Sequence, residues 1–124
     1  MLLGGDSMEL DKQQALFDSL VLELRRGTLV LCVMSQLKTV QYGYSLVVLL
    51  EKKGVAVDAG TLYPLLRRLE SQGILESSWA VETSKPRKYY KLTDDGEAIY
   101  KKLCEYWASI VETMNNLIGG EDVE

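Results

Sequence analysis

The sequence contains no histidine, and its 124 residues include only two cysteines, two prolines and one phenylalanine. The lack of histidine excludes histidine-based acid/base catalysis, imidazole metal ligands and an imidazole pH switch. Cys32 and Cys104 lie in apolar helical runs and are too few and too far apart for a zinc site. We therefore expect reduced thiols in a cytosolic protein, with no metal ion and no cofactor.

Long apolar runs are also missing. The longest, from Thr28 to Met34, falls short of the roughly 18 residues that suggest a membrane span. Residues 1–7 have neither the charged start nor the long apolar stretch of a signal peptide. These features predict a cytoplasmic protein without a membrane segment. Residues 1–9 are expected to be a flexible N-terminus or a cloning remnant, with Met8 as an alternative start.

The charge is unevenly distributed along the chain. The formal net charge of −4 alone argues against a nucleic-acid binder. However, residues 61–91 hold 6 basic and 3 acidic side chains, whereas residues 92–124 hold 2 and 8. A basic middle segment beside an acidic end can form a local positively charged surface that attracts an anionic partner.

Three helices are predicted before the basic segment. Residues 10–24 place leucines on one face, which is typical of an amphipathic helix that packs on its own domain or on a partner. Gly27 should interrupt it, since glycine costs roughly 1 kcal/mol in a helix interior. Residues 28–38 are apolar nearly all round, which indicates a buried central helix. Residues 44–53 end in two lysines followed by a glycine, which are helix stop signals.

The fourth predicted helix carries the first candidate binding surface. Residues 55–57 could form a short strand, and Asp58 is expected to cap a helix that runs to about Gln72. Its leucines, spaced at i, i+3, i+4 and i+7, give one buried stripe. Pro64 is deep for a helix that starts at Asp58, so we expect a distorted first turn or a later start. The remaining face offers groups suited to phosphates and base edges: Thr61, Tyr63, Pro64, Arg67 and Arg68.

Two predicted strands, residues 74–81 and 87–92, enclose a polar turn at residues 82–86. Pro86 fits the start of an edge strand. Trp79 and one ring of the pair Tyr89 and Tyr90 are expected to be core. The hairpin tip is basic and suits a phosphate or the minor groove; its cations are Lys85, Arg87 and Lys88, with Lys91 further along the strand.

Each basic feature also has a plain structural interpretation. Arginines occur on most surface helices, and a basic hairpin tip often only discourages edge-to-edge pairing of strands. Their combination on adjacent elements is the stronger signal. A helix, a turn, a second helix and a two-stranded ribbon in this order predict a winged helix-turn-helix that binds duplex DNA, in residues 10–92.

The last predicted helix spans residues 93–118, with Thr93 as its cap and acidic residues in its first turn. Its narrow apolar stripe is typical of a coiled-coil seam, so we predict a dimerisation helix. The stripe comprises Ile99, Leu103, Tyr106 or Trp107, Ile110, Met114 and Leu117. The tail, residues 119–124, is expected to be disordered.

Trp107 has two interpretations. It could simply fill a dimer seam, or two copies could line a cavity between subunits where a flat apolar ligand stacks. The sequence alone leaves both open.

Four segments, read in order, resemble one known family: LRRGTLVLCVMSQL, QYGYSLVVLLEKKG, GTLYPLLRRLESQGIL and SKPRKYYKLTDDG. Over about residues 24–118 the chain resembles the PadR family of bacterial transcriptional regulators. The combination of TLYPLLRRLE with PRKYYKLT in this order is specific. The single helix after the hairpin is similar to the smaller PadR subfamily.

The resemblance implies a mainly α fold with a small β-hairpin and a long C-terminal dimerisation helix. It implies a homodimer, usually a repressor, that binds inverted-repeat operators in double-stranded DNA. By motif match, Thr61, Tyr63 and Arg67 fall in the recognition helix, and Lys85, Arg87 and Lys88 in the wing. The N-terminal helix, through Leu16 and Leu20, would support the dimer. Some relatives release DNA on binding phenolic or drug-like effectors, and Trp107 is in a suitable place for such a contact.

The sequence therefore predicts a homodimeric DNA-binding regulator and not an enzyme. No nucleophile–base pair, metal-ligand spacing or phosphate loop is recognisable in it. The alternative is a winged-helix module for protein–protein interaction, which would use its basic unit on an acidic partner.

Overall fold

The computed structural model describes residues 3–80 and 85–120, with side chains described from residue 9 onward. The chain divides into two compact units, Met1–Val30 and Leu31–Glu124. In chain order the elements are α1 (Leu3–Arg25), a 3-10 turn (Arg26–Thr28), α2 (Leu29–Ser35), β1 (Gln41–Tyr42), α3 (Gly43–Lys52), α4 (Ala59–Ser71), β2 (Leu75–Ala80), β3 (Arg87–Leu92) and α5 (Asp94–Gly119).

The N-terminal unit is dominated by α1. This helix begins at Leu3, so the predicted start at residue 10 is wrong, and residues 3–9 are helical. The expected break at Gly27 is confirmed as the 3-10 turn. Six large apolar side chains of α1 are more than half exposed in the single chain: Leu10, Leu16, Phe17, Leu20, Leu22 and Leu24.

The core lies in the second unit. Val33, Met34 and Leu37 are fully buried, which confirms the predicted central helix, although α2 already ends at Ser35. The other helices and the sheet complete the core with Leu46, Leu50, Leu62, Leu65, Leu66, Leu69, Leu75, Tyr90 and Leu92. Leucines dominate this set, and their spacing on α4 is the predicted stripe.

The predicted strand at residues 55–57 is wrong, because the backbone there closes α3. Gly54 has a φ of 95°, a left-handed conformation that favours glycine. The Val55 N–H donates to the Leu50 carbonyl at 2.8 Å, and the Gly54 N–H donates to Glu51 at 3.0 Å. This is a Schellman C-cap. The Val55 N–H is therefore used by the helix end.

The sheet has three antiparallel strands in the order β1–β3–β2. The sequence predicted only the β2–β3 hairpin and missed β1, a two-residue strand in which Gln41 pairs with Tyr90. Consequently β3 is the central strand, and the expectation that Pro86 opens an edge strand is wrong. Pro86 lies just before the ladder, which begins with the pair Ala80 and Arg87. Of the turn predicted at residues 82–86, residues 82–84 lie outside the described residues.

α5 begins where predicted. The Gly96 N–H donates to Thr93 Oγ1 at 2.9 Å, which confirms Thr93 as the cap. The same hydroxyl donates to the Gly73 carbonyl at 2.7 Å. Gly96 is buried against Ile74, where an added Cβ would collide with the backbone carbonyl. The helix continues to Gly119, so the predicted disordered tail begins too early; residues 121–124 lie outside the described part.

In residues 3–80 and 85–120, none of the helices combines the length and apolar character needed to cross a bilayer.

Candidate nucleic-acid interface

The position of α4 is fixed by its cap and its buried face. Asp58 Oδ1 accepts a hydrogen bond from the Thr61 N–H at 2.7 Å, which confirms the predicted N-cap. The helix begins at Ala59 and runs through Pro64 without a break, so of the two expectations, a distorted first turn or a later start, the later start is wrong. The carbonyl that loses its partner at Pro64 belongs to exposed Gly60, where water can supply the hydrogen bond.

Four of the predicted contact residues on α4 are exposed and follow one another at helical spacing. They are Thr61, Pro64, Arg67 and Arg68. Because Leu62, Leu65, Leu66 and Leu69 occupy the buried side, this exposed face carries a hydroxyl and two guanidinium groups on a rigid support.

Tyr63 differs from these four because it is half-buried. Its ring lies against Gly43, where an added Cβ would collide with the ring. Gly43 is itself the first residue of α3. The close approach of α3 and α4 therefore depends on a glycine at this position, and Tyr63 has a packing role as well as an accessible edge.

The hairpin of β2 and β3, called the wing from here on, holds one arginine by aromatic contacts. The Arg87 guanidinium lies 4.6 Å from the ring centroid of Tyr42. Tyr42 in turn packs edge-on against Tyr89, with centroids 5.7 Å apart. Arg87 is exposed, so its charge remains available to solvent while the Tyr42 ring restricts its orientation.

Lys88, the next residue, has a different environment. Its Nζ lies 3.1 Å from Glu70 Oε1 at the end of α4 and 5.3 Å from the ring centroid of Tyr90. The Ser77 hydroxyl donates to the other oxygen of Glu70. This hydrogen bond and the ammonium hold the pKa of Glu70 below its usual range, and Glu70 raises the pKa of Lys88.

The aromatic residues of the wing were predicted only in part. Tyr90 is 6% exposed, which confirms that one tyrosine packs under the wing. Trp79 was expected in the core but is 62% exposed. It pairs with Lys88 near the far end of β2, whereas Leu75 and Leu92 pair at the buried end. The side chain follows the predicted alternation but lies beyond the part of the sheet that the core covers.

A cleft brings the wing together with the start of α3. Its lining residues are Tyr42, Gly43, Tyr44, Tyr63, Lys85, Pro86, Arg87, Lys88 and Tyr90. All the charged side chains in this lining are cations, so the cleft suits an anionic group. Of the predicted residues it contains Tyr63, Lys85, Arg87 and Lys88, whereas Arg67 and Arg68 are not part of its lining.

Sequence reasoning missed the contribution of α3 to this cleft. Tyr44 lies in the first turn of α3 and is 63% exposed. Its hydroxyl and the N–H groups of the helix N-terminus are suited to a phosphate oxygen. The signal in the sequence is the tyrosine pair around Gly43, at the start of the predicted helix 44–53.

Most of the residues predicted for dimerisation are exposed in the single chain. On α5, Leu103 is half-buried, and the exposed fractions of the others are 41% for Ile99, 65% for Tyr106, 42% for Trp107, 37% for Ile110, 43% for Met114 and 71% for Leu117. On α1, Leu16 and Leu20 are 56% and 61% exposed. The stripe on α5 is therefore a solvent-facing apolar surface of the second unit.

Comparison with known proteins identifies the family. The model of the Transcriptional regulator PadR-like family matches residues 30–102. A transcriptional regulator of Mycobacterium tuberculosis, Rv3488, is 36% identical over 72 residues, which are 58% of this chain and 64% of that protein. The chain thus spans somewhat less than two thirds of this curated relative.

Solved structures extend the likeness to most of the chain. The crystal structure of a PadR family regulator from Eggerthella lenta is similar with a TM-score of 0.85 and 45% identity, and the match covers 89% of this chain and 98% of that one. A PadR-like regulator from Bacillus cereus matches with a TM-score of 0.70 and 32% identity over 80% and 99% of the two chains. These likenesses confirm the predicted winged helix-turn-helix fold. Regulators of this family bind DNA and are not enzymes. The likenesses therefore also support the prediction that the chain is not an enzyme. The chain belongs to the PadR-like family of transcriptional regulators.

Proposed function

We propose that this chain is a homodimeric repressor that binds an inverted-repeat operator in duplex DNA through α4 and the wing. The observation that carries the proposal is the exposed face of α4, with Thr61, Arg67 and Arg68, on a helix whose other side is anchored in the core. Family membership supports DNA binding, and the cationic cleft beside this face supports a phosphate partner.

In this proposal α4 enters the major groove. Thr61 and Tyr63 present hydroxyls near the N-terminus of the helix, where phosphates and base edges are approached. Arg67 and Arg68 lie one to two turns further along, so they reach phosphates, and one of them can reach a guanine edge. Pro64 supplies an apolar surface between these polar groups, suited to a thymine methyl.

The wing adds contacts outside the major groove. Lys85 and Arg87 are exposed at the start of β3 and, with Tyr44 of α3, surround the mouth of the cleft. These groups suit the phosphates beside the major groove or the neighbouring minor groove. Lys88 is also proposed as part of this surface from its place in the wing, although its ammonium already pairs with Glu70.

Dimerisation would use the apolar stripe of α5, with Leu16 and Leu20 of α1 as a second contribution. A long helix with exposed isoleucine, methionine and tryptophan in one stripe lowers its free energy by pairing with a second copy. A two-fold dimer would present two α4 helices to two half-sites, and this arrangement would fit an inverted-repeat operator.

Trp107 is the proposed effector contact. It is 42% exposed on the dimerisation stripe, so two copies would lie near each other in a dimer. A flat, apolar aromatic ligand could stack between them and change the spacing of the two α4 helices. Ligand binding should quench Trp107 fluorescence, and Trp107→Ala should abolish binding of that ligand while the protein remains a dimer.

A gel-shift titration tests the proposed function. The probe is a duplex that covers the region upstream of the protein's own coding sequence, with an unrelated duplex of equal length as control. We expect tighter binding to the upstream duplex and a loss of that preference in Arg67→Ala. Absence of any shift, together with capture of an acidic protein, would instead support the protein–protein alternative.

A further inference from the structure

Glu70 connects α4 with both strands of the wing. It lies in the last turn of α4, and its two carboxylate oxygens are engaged by different strands: Oε2 by the Ser77 hydroxyl of β2, and Oε1 by Lys88 of β3 at 3.1 Å. Ser77 pairs with Tyr90, and Trp79 pairs with Lys88. Since positions two apart on a strand share a face, Ser77 and Lys88 both face α4.

The positive charge of Lys88 is therefore paired with a carboxylate of the same chain. Its ammonium is 3.1 Å from Glu70 Oε1 and 5.3 Å from the Tyr90 ring centroid, and its side chain is 30% exposed. Arg87, one residue earlier, points to the opposite face of the sheet, where it lies over Tyr42 and is exposed. Two neighbouring cations of the wing thus have different environments.

We infer that Glu70 is a positioning residue that fixes the distance between α4 and the wing through Ser77 and Lys88, and that Lys88 acts inside the protein instead of on a phosphate. This rests on the proposed function, because it concerns how α4 and the wing engage DNA together. It also revises the proposed role of Lys88, which becomes part of the support of the wing.

The physical reason is preorganisation. A duplex is contacted by α4 and the wing at once only if the two elements are held at a fixed spacing. A wing that is already held against α4 loses less conformational freedom on binding. Glu70 is suited to this because it reaches both strands from one side chain. Its carboxylate also neutralises Lys88, which removes one cation from the set that can release counterions from DNA.

Salt dependence separates an internal lysine from a lysine that binds a phosphate. The slope of log K against log salt is negative, and "slope" here means its magnitude. This magnitude changes by about one unit for each phosphate that a variant newly neutralises or no longer neutralises. Binding of the full chain to the labelled upstream duplex is measured by fluorescence anisotropy across a salt series. The variants are Lys88→Met, Arg87→Met as the matched control, Glu70→Gln, and the Glu70→Gln/Lys88→Met double variant.

We expect Arg87→Met to lower the slope by about one unit. Lys88→Met should weaken binding to the upstream duplex and leave the slope unchanged. Glu70→Gln should raise the slope by about one unit, because the lysine is released toward the phosphates, and the double variant should return to the wild-type slope. A Lys88→Met slope that falls as far as that of Arg87→Met would overturn the inference, as would an unchanged slope in Glu70→Gln.

Amide hydrogen exchange without DNA keeps the two proposals distinguishable. Glu70→Gln should accelerate exchange in β2 and β3, while the buried part of α4 stays protected. Unchanged exchange in both strands would show that Glu70 does not position the wing, whatever the DNA result. A further outcome is that wild-type protein binds no duplex while the exchange rates change as expected. In that case the proposed function and the role of Glu70 in DNA binding are both rejected. The placement of Lys88 inside the protein still stands.

Discussion

α4 and α5 are both amphipathic helices whose N-cap side chain accepts a hydrogen bond through an oxygen atom, but their apolar faces differ in exposure. α4 buries Leu62, Leu65, Leu66 and Leu69 within its own unit. α5 is twice as long, with 26 residues against 13, yet within this fully described helix Gly96 alone is buried. The apolar face of the first helix is covered within one chain, whereas the stripe of the second is exposed there, which is the basis of the proposed dimer. This contrast predicts that substitutions in α4 affect folding and substitutions along α5 affect association.

The largest expected effect is on folding, in α4. Leu66 is fully buried, so Leu66→Ala should lower the free energy of unfolding by about 2–5 kcal/mol through lost burial and a residual cavity. Urea denaturation followed by circular dichroism measures this change. Arg67→Ala, at the next and exposed position, is the control and should leave stability within about 0.5 kcal/mol. Equal losses in both variants would mean that the two faces of α4 are wrongly assigned.

The second prediction concerns the stripe of α5. Ile110→Asp should weaken self-association at least about 100-fold, because an unpaired carboxylate would be buried in an apolar seam. Analytical ultracentrifugation measures the dissociation constant. Ala108→Asp introduces the same charge on the opposite, exposed face and should leave the dimer intact. A monomeric wild-type protein, or a dimer that tolerates Ile110→Asp, would remove α5 from the proposed interface.

A substitution at Thr93, where α4 and α5 are joined, should have a smaller effect on folding stability. Thr93 caps α5 and also donates to the Gly73 carbonyl that follows α4, so one hydroxyl holds both elements. Thr93→Ala should cost about 1 kcal/mol of folding stability, and Thr93→Ser should restore most of it. Thermal unfolding of the three proteins checks this. A Ser variant no better than Ala would show that the methyl group, and not the hydroxyl, stabilises the junction.

The smallest effect concerns acid stability and Glu70 at the end of α4. The Ser77 hydroxyl and then Lys88 lower its pKa below the usual 4.5. A carboxyl with a lowered folded pKa adds stability that is present above pH 4.5 and is lost as the pH falls through that folded pKa. Glu70 is partly exposed, so the contribution should be below about 1 kcal/mol. In Glu70→Gln the stability should decline less over this acid range; an unchanged pH profile would contradict the pairing.

Elements with a strong local signal were predictable from the sequence. Asp58 and the leucine spacing located α4, while Thr93 located the start of α5. The strand Arg87–Leu92 was predicted with its observed bounds. In each case a capping residue, a turn or an apolar repeat lies within a few residues of the element. These local signals therefore determine where the element begins or ends.

Features that depend on distant contacts were missed. The strand Gln41–Tyr42 has two residues and exists because β3 pairs with it. Trp79 follows a correct strand pattern, yet no sequence rule states where the core stops covering β2. The pairing of Glu70 with Lys88 joins residues 18 positions apart in sequence. Lys88 was therefore grouped with Arg87 as a tip cation, although they face opposite sides of the sheet.

The most direct test of the central claim is hydroxyl-radical footprinting of the upstream duplex with the full-length protein. If α4 binds the major groove and α5 pairs two chains, two protected half-sites should appear about one helical turn apart, centred roughly 34–36 Å from each other or at a multiple of that distance. Arg67→Ala should weaken both protections together. No protection at all, or a single protected half-site that saturates with one chain per duplex, would contradict the account.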